Sequence, residues 1–447
     1  MKRLFSVMII LISLTTVLFA AGQREIKPDP VRTVTWWHPN SGLAGQATQA
    51  MVQAFNSTVG AEKNIRVEAV YQGKANDVLT KAKAILQSDS RRDLPDLAQL
   101  DGAAVLDIRD VDALIPMEDL ALSDGYDLDA ILEAARLSVT YKDKMIAMPF
   151  NSSTILLYYN KTAFDQGGIA RAPRTLDELA VTAQALVQKD ARGNVIRSGF
   201  ANVPTTYELI AWLGQQNHLS YITDQENGHA GNPTRVLFHE NGTMVNFLTK
   251  WKALYDTGAL ENLTSDRNGA FASGRTAMIV ASTSNLTTIL SMVGDRFEVG
   301  VANFPMVDEH ATGGVNVGGG AIWAFDNGSG NRDAAWEFVK FASSGEQQLA
   351  WHIATGYFPI HRDTYSLPAF EEHIAKNPLF KVAIDQLMQS NPQLQGIWVP
   401  SAYQIYYAFQ TGILKMLTEN RSPEETSRAL EAEINGYFAE YLRMQGQ

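Results

Sequence analysis

Pro149-Phe150-Asn151-Ser152-Ser153-Thr154-Ile155-Leu156-Leu157-Tyr158-Tyr159-Asn160-Lys161 decides how this chain is organised. A small polar segment opens into an apolar strand that ends in paired tyrosines. Such a change of character is expected where a chain leaves one lobe, crosses a cleft and begins another. A hydroxyl at the crossing then stands where a small ligand can be clasped.

On the N-terminal side, Val31 to Trp37 alternates as a first strand. A turn at His38 to Gly42 leads into a helix over 43–56, and Ile65 to Tyr71 reads as a second strand. Asn76 to Gln87 has helical spacing, and Leu94 to Leu100 is a short strand entering the Asp101-Gly102 turn. This βαβαβ rhythm predicts an α/β lobe with a mostly parallel, helix-covered sheet. On the C-terminal side a second αβ series begins after Asn160. Thr175 and Glu178 have the capping-box spacing for a helix over 176–187. Residues 220–235 read as a loop, Asn246 to Thr257 as a helix, and Met278 to Val280 as a strand stopping at Ala281-Ser282-Thr283-Ser284. Val299 to Phe304 is expected as a strand returning to the first lobe, and Gly318-Gly319-Gly320 as a glycine turn feeding the strand Ala321 to Phe325. Residues 331–355 and the chain after Pro359 read as helical.

The first residues bear on the compartment. Met1-Lys2-Arg3 is a basic start, Leu4 to Phe19 an apolar run, and Ala20-Ala21-Gly22 a small-residue cleavage site, so 1–22 reads as a secretory signal peptide. A retained anchor is the competing reading, although the run is shorter than the ~20 residues of a spanning helix. The chain has 447 residues, 45% hydrophobic and 19% charged, which suits two or three folded domains. It has no cysteine, which rules out disulfides, thiol nucleophiles and cysteine-bound metals, and an exported chain of this kind suits a bacterial periplasm. A net charge of −11 without a basic stripe argues against nucleic-acid binding.

No catalytic motif stands out: there is no G-x-S-x-G, no H-E-x-x-H and no Walker-type loop. The eight histidines are scattered. Asp107, Asp110 and Asp112 lack the glycine turn and distant Glu of a calcium loop and read as a solvated acidic face. No metal and no cofactor are expected. The three glycines serve either as a plain turn or as bare backbone for a ligand to approach. Ser282 either caps a helix or, with the free N–H groups there, faces an anion. Trp36, Trp37, Tyr207, Trp212, Trp398, Tyr403, Tyr406 and Tyr407 lie at element ends, as core residues or as surfaces for a sugar ring or a quaternary ammonium.

Taken together, the motifs resemble those of the extracytoplasmic solute-binding proteins of ATP-binding-cassette importers, and among them most resemble the glycerol-3-phosphate-binding proteins. Trp36-Trp37-His38, Tyr71-Gln72-Gly73, Phe150-Asn151-Ser152-Ser153-Thr154, Leu157 to Lys161, Gly318 to Trp323 and Thr355-Gly356-Tyr357-Phe358-Pro359-Ile360 carry the likeness. The resemblance implies a two-lobed, type II periplasmic-binding-protein fold with the ligand in a cleft between lobes joined by hinge crossings. Lobe 1 is expected over 31–150 plus about 305–356, and lobe 2 over 151–304 plus about 357–447. The resemblance carries ligand contacts onto Ser153, Ser282, Gly319 and Tyr357, with Asp101 for the ligand's hydroxyls. Trp36, Tyr207 and Tyr406 join them as aromatic candidates.

Three departures bear on the ligand. Ala75 stands about where the family has a tyrosine, and no arginine lies between Pro392 and Lys415, where the family has one that pairs with phosphate; that place falls near Tyr406. The segment Pro204-Thr205-Thr206-Tyr207 replaces a tryptophan-lined wall. These changes favour a glycerophosphodiester such as glycerophosphocholine over glycerol-3-phosphate, with aromatics receiving the choline. The expected protein is a periplasmic monomer, not an enzyme, that delivers a phosphate ester to a membrane permease. An oligosaccharide ligand on the same fold is the first alternative. A secreted hydrolase is the second, and it lacks a nucleophile–base set.

Overall fold

The computed structural model describes residues 30–88, 90–102, 105–204, 207–444 and 446. The expected signal peptide lies outside them.

Strand β1 (Arg32–His38) pairs in parallel with β2 (Ile65–Tyr71) and with β3 (Leu97–Asp101). The sheet continues through β9 (Gly318–Phe325) to β4 (Leu114–Ile115), and β5 (Met148–Ser153) also pairs with β9. All three contacts of β9 are antiparallel, so the sheet is mixed rather than mostly parallel. In lobe 2, β6 (Ile155–Asn160) is the centre of a three-stranded antiparallel sheet, between β7 (Met278–Ser282) and β8 (Val299–Asn303). Its period-2 alternation feeds two cores: Ile155 and Leu157 join one, Leu156 and Tyr158 the other. Burial on both faces explains why this strand reads as an unbroken apolar run.

Helix 176–186 opens as the sequence suggests, with a variation. Thr175 Oγ1 accepts the Glu178 N–H at 3.2 Å, whereas the Glu178 carboxylate accepts from Arg174 N rather than from the cap residue. The Arg171 guanidinium beside it, and then that backbone N–H, hold the Glu178 carboxyl down at about 2.

Packing divides the chain differently from expectation. The strand Val299–Asn303 stays in the lobe 2 sheet, and Phe304, Val307 and Val315 remain in the lobe 2 core. The return to lobe 1 therefore falls at Asn316–Val317, because Val317 already packs with lobe 1. Beyond residue 356, Phe358, Ile360 and Phe370 still belong to lobe 1. The final passage to lobe 2 is gradual: Phe380 and Ala383 already pack with Leu156 and Tyr158 of lobe 2, Ile384, Leu387 and Trp398 still join the lobe 1 core, and from Val399 the chain, with the helices Ala402–Thr418 and Pro423–Met444, completes lobe 2. The glycines 318–320 are not a turn but the first residues of β9.

Candidate ligand-binding cleft

A cavity of about 280 Å3 lies where the lobes meet. Lobe 1 supplies Asp101 from the end of β3, Ser152 from β5 and Gly318–Gly320 from β9. Lobe 2 supplies Tyr207, which begins the helix Tyr207–Gly214, together with Tyr403 and Tyr406 from the helix Ala402–Thr418. The passage before that helix adds Trp398.

The glycines are there because of what presses on them. A Cβ on Gly318 would fall 1.9 Å from Cζ of Tyr207, so the tyrosine ring lies directly on that peptide. Gly319 has φ +102° and a Cβ there would sit 2.0 Å from Asn151 O. Only glycine meets both demands at Gly319. Gly320 N donates to Asn151 Oδ1 at 3.0 Å, which fixes the bulge in the β5–β9 pairing.

Asp101 faces Gly320 across the sheet. Tyr403 Oη lies 3.5 Å from its Oδ2, and the Tyr403 and Tyr406 rings meet edge-on at 6.3 Å. Burial, and then the Asp101 charge, push the Tyr403 hydroxyl up to about 12 and raise Tyr406 as well, so both phenols stay protonated donors. Asp101 is the only acidic residue in the described lining, and no lysine or arginine joins it.

Tyr207 closes the far end. Its Oη donates to Ser153 O at 2.6 Å and lies 3.5 Å from Ser153 Oγ. Behind it, the crossing holds the serines and the Thr355-Gly356-Tyr357 turn together. Thr283 N donates to Thr154 O at 2.8 Å, Phe358 N donates to Ser152 O at 3.1 Å, and a Cβ on Gly356 would meet Thr283 O at 2.7 Å. Ser282 Oγ is engaged by Ser284, accepting from its N–H at 3.3 Å and from its hydroxyl at 3.0 Å.

The structure thus brings Asp101, Tyr207, Gly319 and Tyr406 to one cavity. Ser153, Ser282 and Tyr357 gather behind Tyr207 at the crossing, outside the lining. Trp36 is a correction. On β1 the inward positions are Val34, Trp36 and His38, and Trp36 is fully buried in the lobe 1 core against Phe150 and Phe338. Trp212 is likewise core, its Nε1 donating to Pro305 O at 3.0 Å. Trp398 and Tyr403 were aromatic candidates in the sequence, yet only the fold shows them on the cavity. Trp323 and Ser152 lie there too, within motifs that carried the resemblance without marking them. In the acidic stretch, Asp112 pairs with Arg91 at 3.6 Å and Asp110 lies beside Arg109. No group of three His, Cys, Asp or Glu among the described residues could hold a metal ion. No described helix is long and apolar enough to cross a membrane.

Two α/β lobes joined by several chain crossings, with a cavity between them built from both, define a hinged solute receptor. The bacterial extracellular solute-binding protein family matches this sequence over residues 50–382, and the chain belongs to that family. It is similar to the sn-glycerol-3-phosphate-binding periplasmic protein UgpB of Brucella melitensis, 25% identical over 371 residues that span 80% of this chain and 82% of that one. Its fold is shared by UgpB from Mycobacterium tuberculosis in complex with glycerophosphocholine, with a TM-score of 0.75, 20% identity, and coverage of 92% of this chain and 99% of that one. The sugar-binding protein MalE from Xanthomonas citri matches at a TM-score of 0.74 with 18% identity, over 93% and 99% of the two chains. The two-lobed type II fold is therefore established for this chain, as is its kinship with UgpB.

Proposed function

We propose that the protein captures a glycerophosphodiester with a cationic head, such as glycerophosphocholine, in the periplasm and hands it to the permease of an ATP-binding-cassette importer. The observation that carries this reading is the charge of the cavity: among the described lining residues there is one carboxylate and no cationic side chain, with tyrosine at position 406. A phosphate monoester brings about two negative charges at neutral pH, and the described lining offers it no cationic side chain. A phosphodiester brings one, which backbone N–H groups and the hydroxyl of Ser152 can solvate. The faces of Trp398, Tyr403 and Tyr406 offer the quaternary ammonium ~0.5–2 kcal/mol of cation–π attraction.

A sugar is the second reading. A carboxylate beside aromatic rings also suits hydroxyl groups and a pyranose face, and several proteins of this fold bind sugars, maltose-bound MalE3 of T. maritima among them. Calorimetric titration of the purified protein with glycerophosphocholine, glycerol-3-phosphate and maltose decides. Heat with the diester and none with the monoester supports the proposal. Tight binding of glycerol-3-phosphate overturns the charge argument, and binding of maltose alone returns the protein to the sugar receptors.

A further inference from the structure

The lobes are also fastened to each other beside the cavity. Arg109 follows the short lobe 1 helix Val105–Ile108, and none of its side chain reaches solvent. Its guanidinium lies 4.1 Å over the Tyr141 ring. Nη1 donates to Gly228 O at 2.8 Å and Nη2 donates to Asn232 Oδ1. Both acceptors sit on the loop between Ile222 and Val236, two residues of the lobe 2 core. Among the described residues the carboxylate that pairs with it is Asp110, 3.3 Å from Nε and mostly exposed. A buried cation of one lobe is thus solvated largely by neutral acceptors of the other. Parting the lobes at this edge breaks both of these charge-assisted bonds and leaves water in their place, a net loss.

The same loop backs the cavity wall. Gly228 has φ +99°, and a Cβ there would lie 2.0 Å from Trp398 O. Trp398 N donates to Asn227 O at 2.7 Å. The His229 ring stacks on the Trp398 indole at 3.8 Å, and its Nε2 is 3.0 Å from Gly396 O. Trp398 lines the cavity.

We infer that Arg109 is a positioning residue that latches the Gly228–Asn232 loop of lobe 2 onto lobe 1, seats Trp398 against the ligand, and sets how fast ligand escapes. The inference rests on the cavity being the ligand site. The latch stabilises the closed arrangement whether or not ligand is present, so it biases the open–closed equilibrium. Ligand enters before closure, so the gain falls on dissociation. A planar, forked cation suits the place: it lies flat on Tyr141 while reaching two acceptors at once, which an ammonium cannot do.

The test combines small-angle scattering of the ligand-free protein with stopped-flow dissociation of glycerophosphocholine and of maltose, for wild type, Arg109→Ala, Arg109→Lys and Asn232→Ala. The expected result is a larger ligand-free radius of gyration and dissociation faster by roughly ten- to a hundredfold in Arg109→Ala, about tenfold in Asn232→Ala, with association not slowed. Arg109→Lys falls between wild type and Arg109→Ala. Asn232→Ala leaves the arginine on Gly228 and Tyr141, so it tests the latch even if Arg109→Ala does not fold. Melting temperatures that drop while the radius of gyration and the dissociation rate stay at wild-type values overturn the inference. Should neither probe bind the wild type, the ligand proposal fails while scattering still decides the latch.

Discussion

Replacing Asp101 with asparagine removes the one carboxylate of the described cavity lining while keeping an oxygen for Tyr403 to approach. The effect on selectivity follows from distance. Asp101 lies opposite Gly320 on the neighbouring strand, about 5 Å across, and Gly318, beneath Tyr207, is two residues further along, or about 7 Å at ~3.4 Å per residue, a diagonal of about 8.5 Å. A phosphate held over Gly318 would therefore feel the carboxylate from about that diagonal. At an effective dielectric of about 20, one pair of unit charges at that separation repels by ~2 kcal/mol. A monoester carries about one negative charge more than a diester at neutral pH, so Asp101 penalises it by that extra ~2 kcal/mol, roughly 30-fold in affinity. Asp101→Asn should narrow the preference for glycerophosphocholine over glycerol-3-phosphate by about that factor, chiefly through tighter monoester binding. Parallel calorimetric titrations at pH 7.5 and fixed, moderate salt read the ratio directly. A ratio that does not move, with both ligands weakened alike, would refute the charge argument. Asp101 would then be a plain acceptor for hydroxyls common to both ligands.

Other outcomes follow from the same geometry. Tyr207→Ala should join the cavity to the Ser153 and Tyr357 side and admit bulkier ligands, whereas Tyr207→Phe keeps the partition and loses ~1 kcal/mol of stability with the bond to Ser153 O; competition binding and urea melts separate the two. Gly319→Ala should destabilise lobe 1 by about 2–3 kcal/mol, because a left-handed backbone and a 2.0 Å approach to Asn151 O must both yield; the urea midpoint checks it. His38, His229 and His352 are each pushed down to about 4, with burial the first cause. The unfolded chain therefore binds their protons first. Their contribution is complete above about pH 6.5 and is lost as pH falls towards 4, with a slope of up to ~1.4 kcal/mol per pH unit for each. Melting temperatures flat between pH 6.5 and 4 would contradict this.

The crossing was legible because the composition changes there within a few residues, from Asn151-Ser152-Ser153 to an apolar run that two cores share. Individual strands and helices were legible from period and caps for the same local reason. Lobe membership was not, since the strand Val299–Asn303 looks the same whichever sheet it joins, and its partner Ile155–Asn160 lies far away in sequence. The glycines misled in a similar way: three in a row suggest a turn, but here Asn151 and Tyr207 crowd an extended strand from both sides. Trp36 could not be told from a cleft aromatic, because one face of β1 is core and the other is not, and Phe150 and Phe338 decide which is which. Arg109 carried no motif at all; its partners, Gly228 and Asn232, come from the other lobe.

The chain weaves back and forth, and this shapes how the protein comes into being. Strand β9 belongs in the lobe 1 sheet beside β3, and Arg32 pairs with Asp333, 301 residues away. Lobe 2 in turn waits for Ile434 and Phe438 in the last helix to fill its core. A chain emerging from its N-terminus can finish neither half until nearly all of it has been made. Contacts so distant in sequence form slowly, and a polypeptide that stays unfolded while it lengthens is one that can still be threaded through a narrow channel.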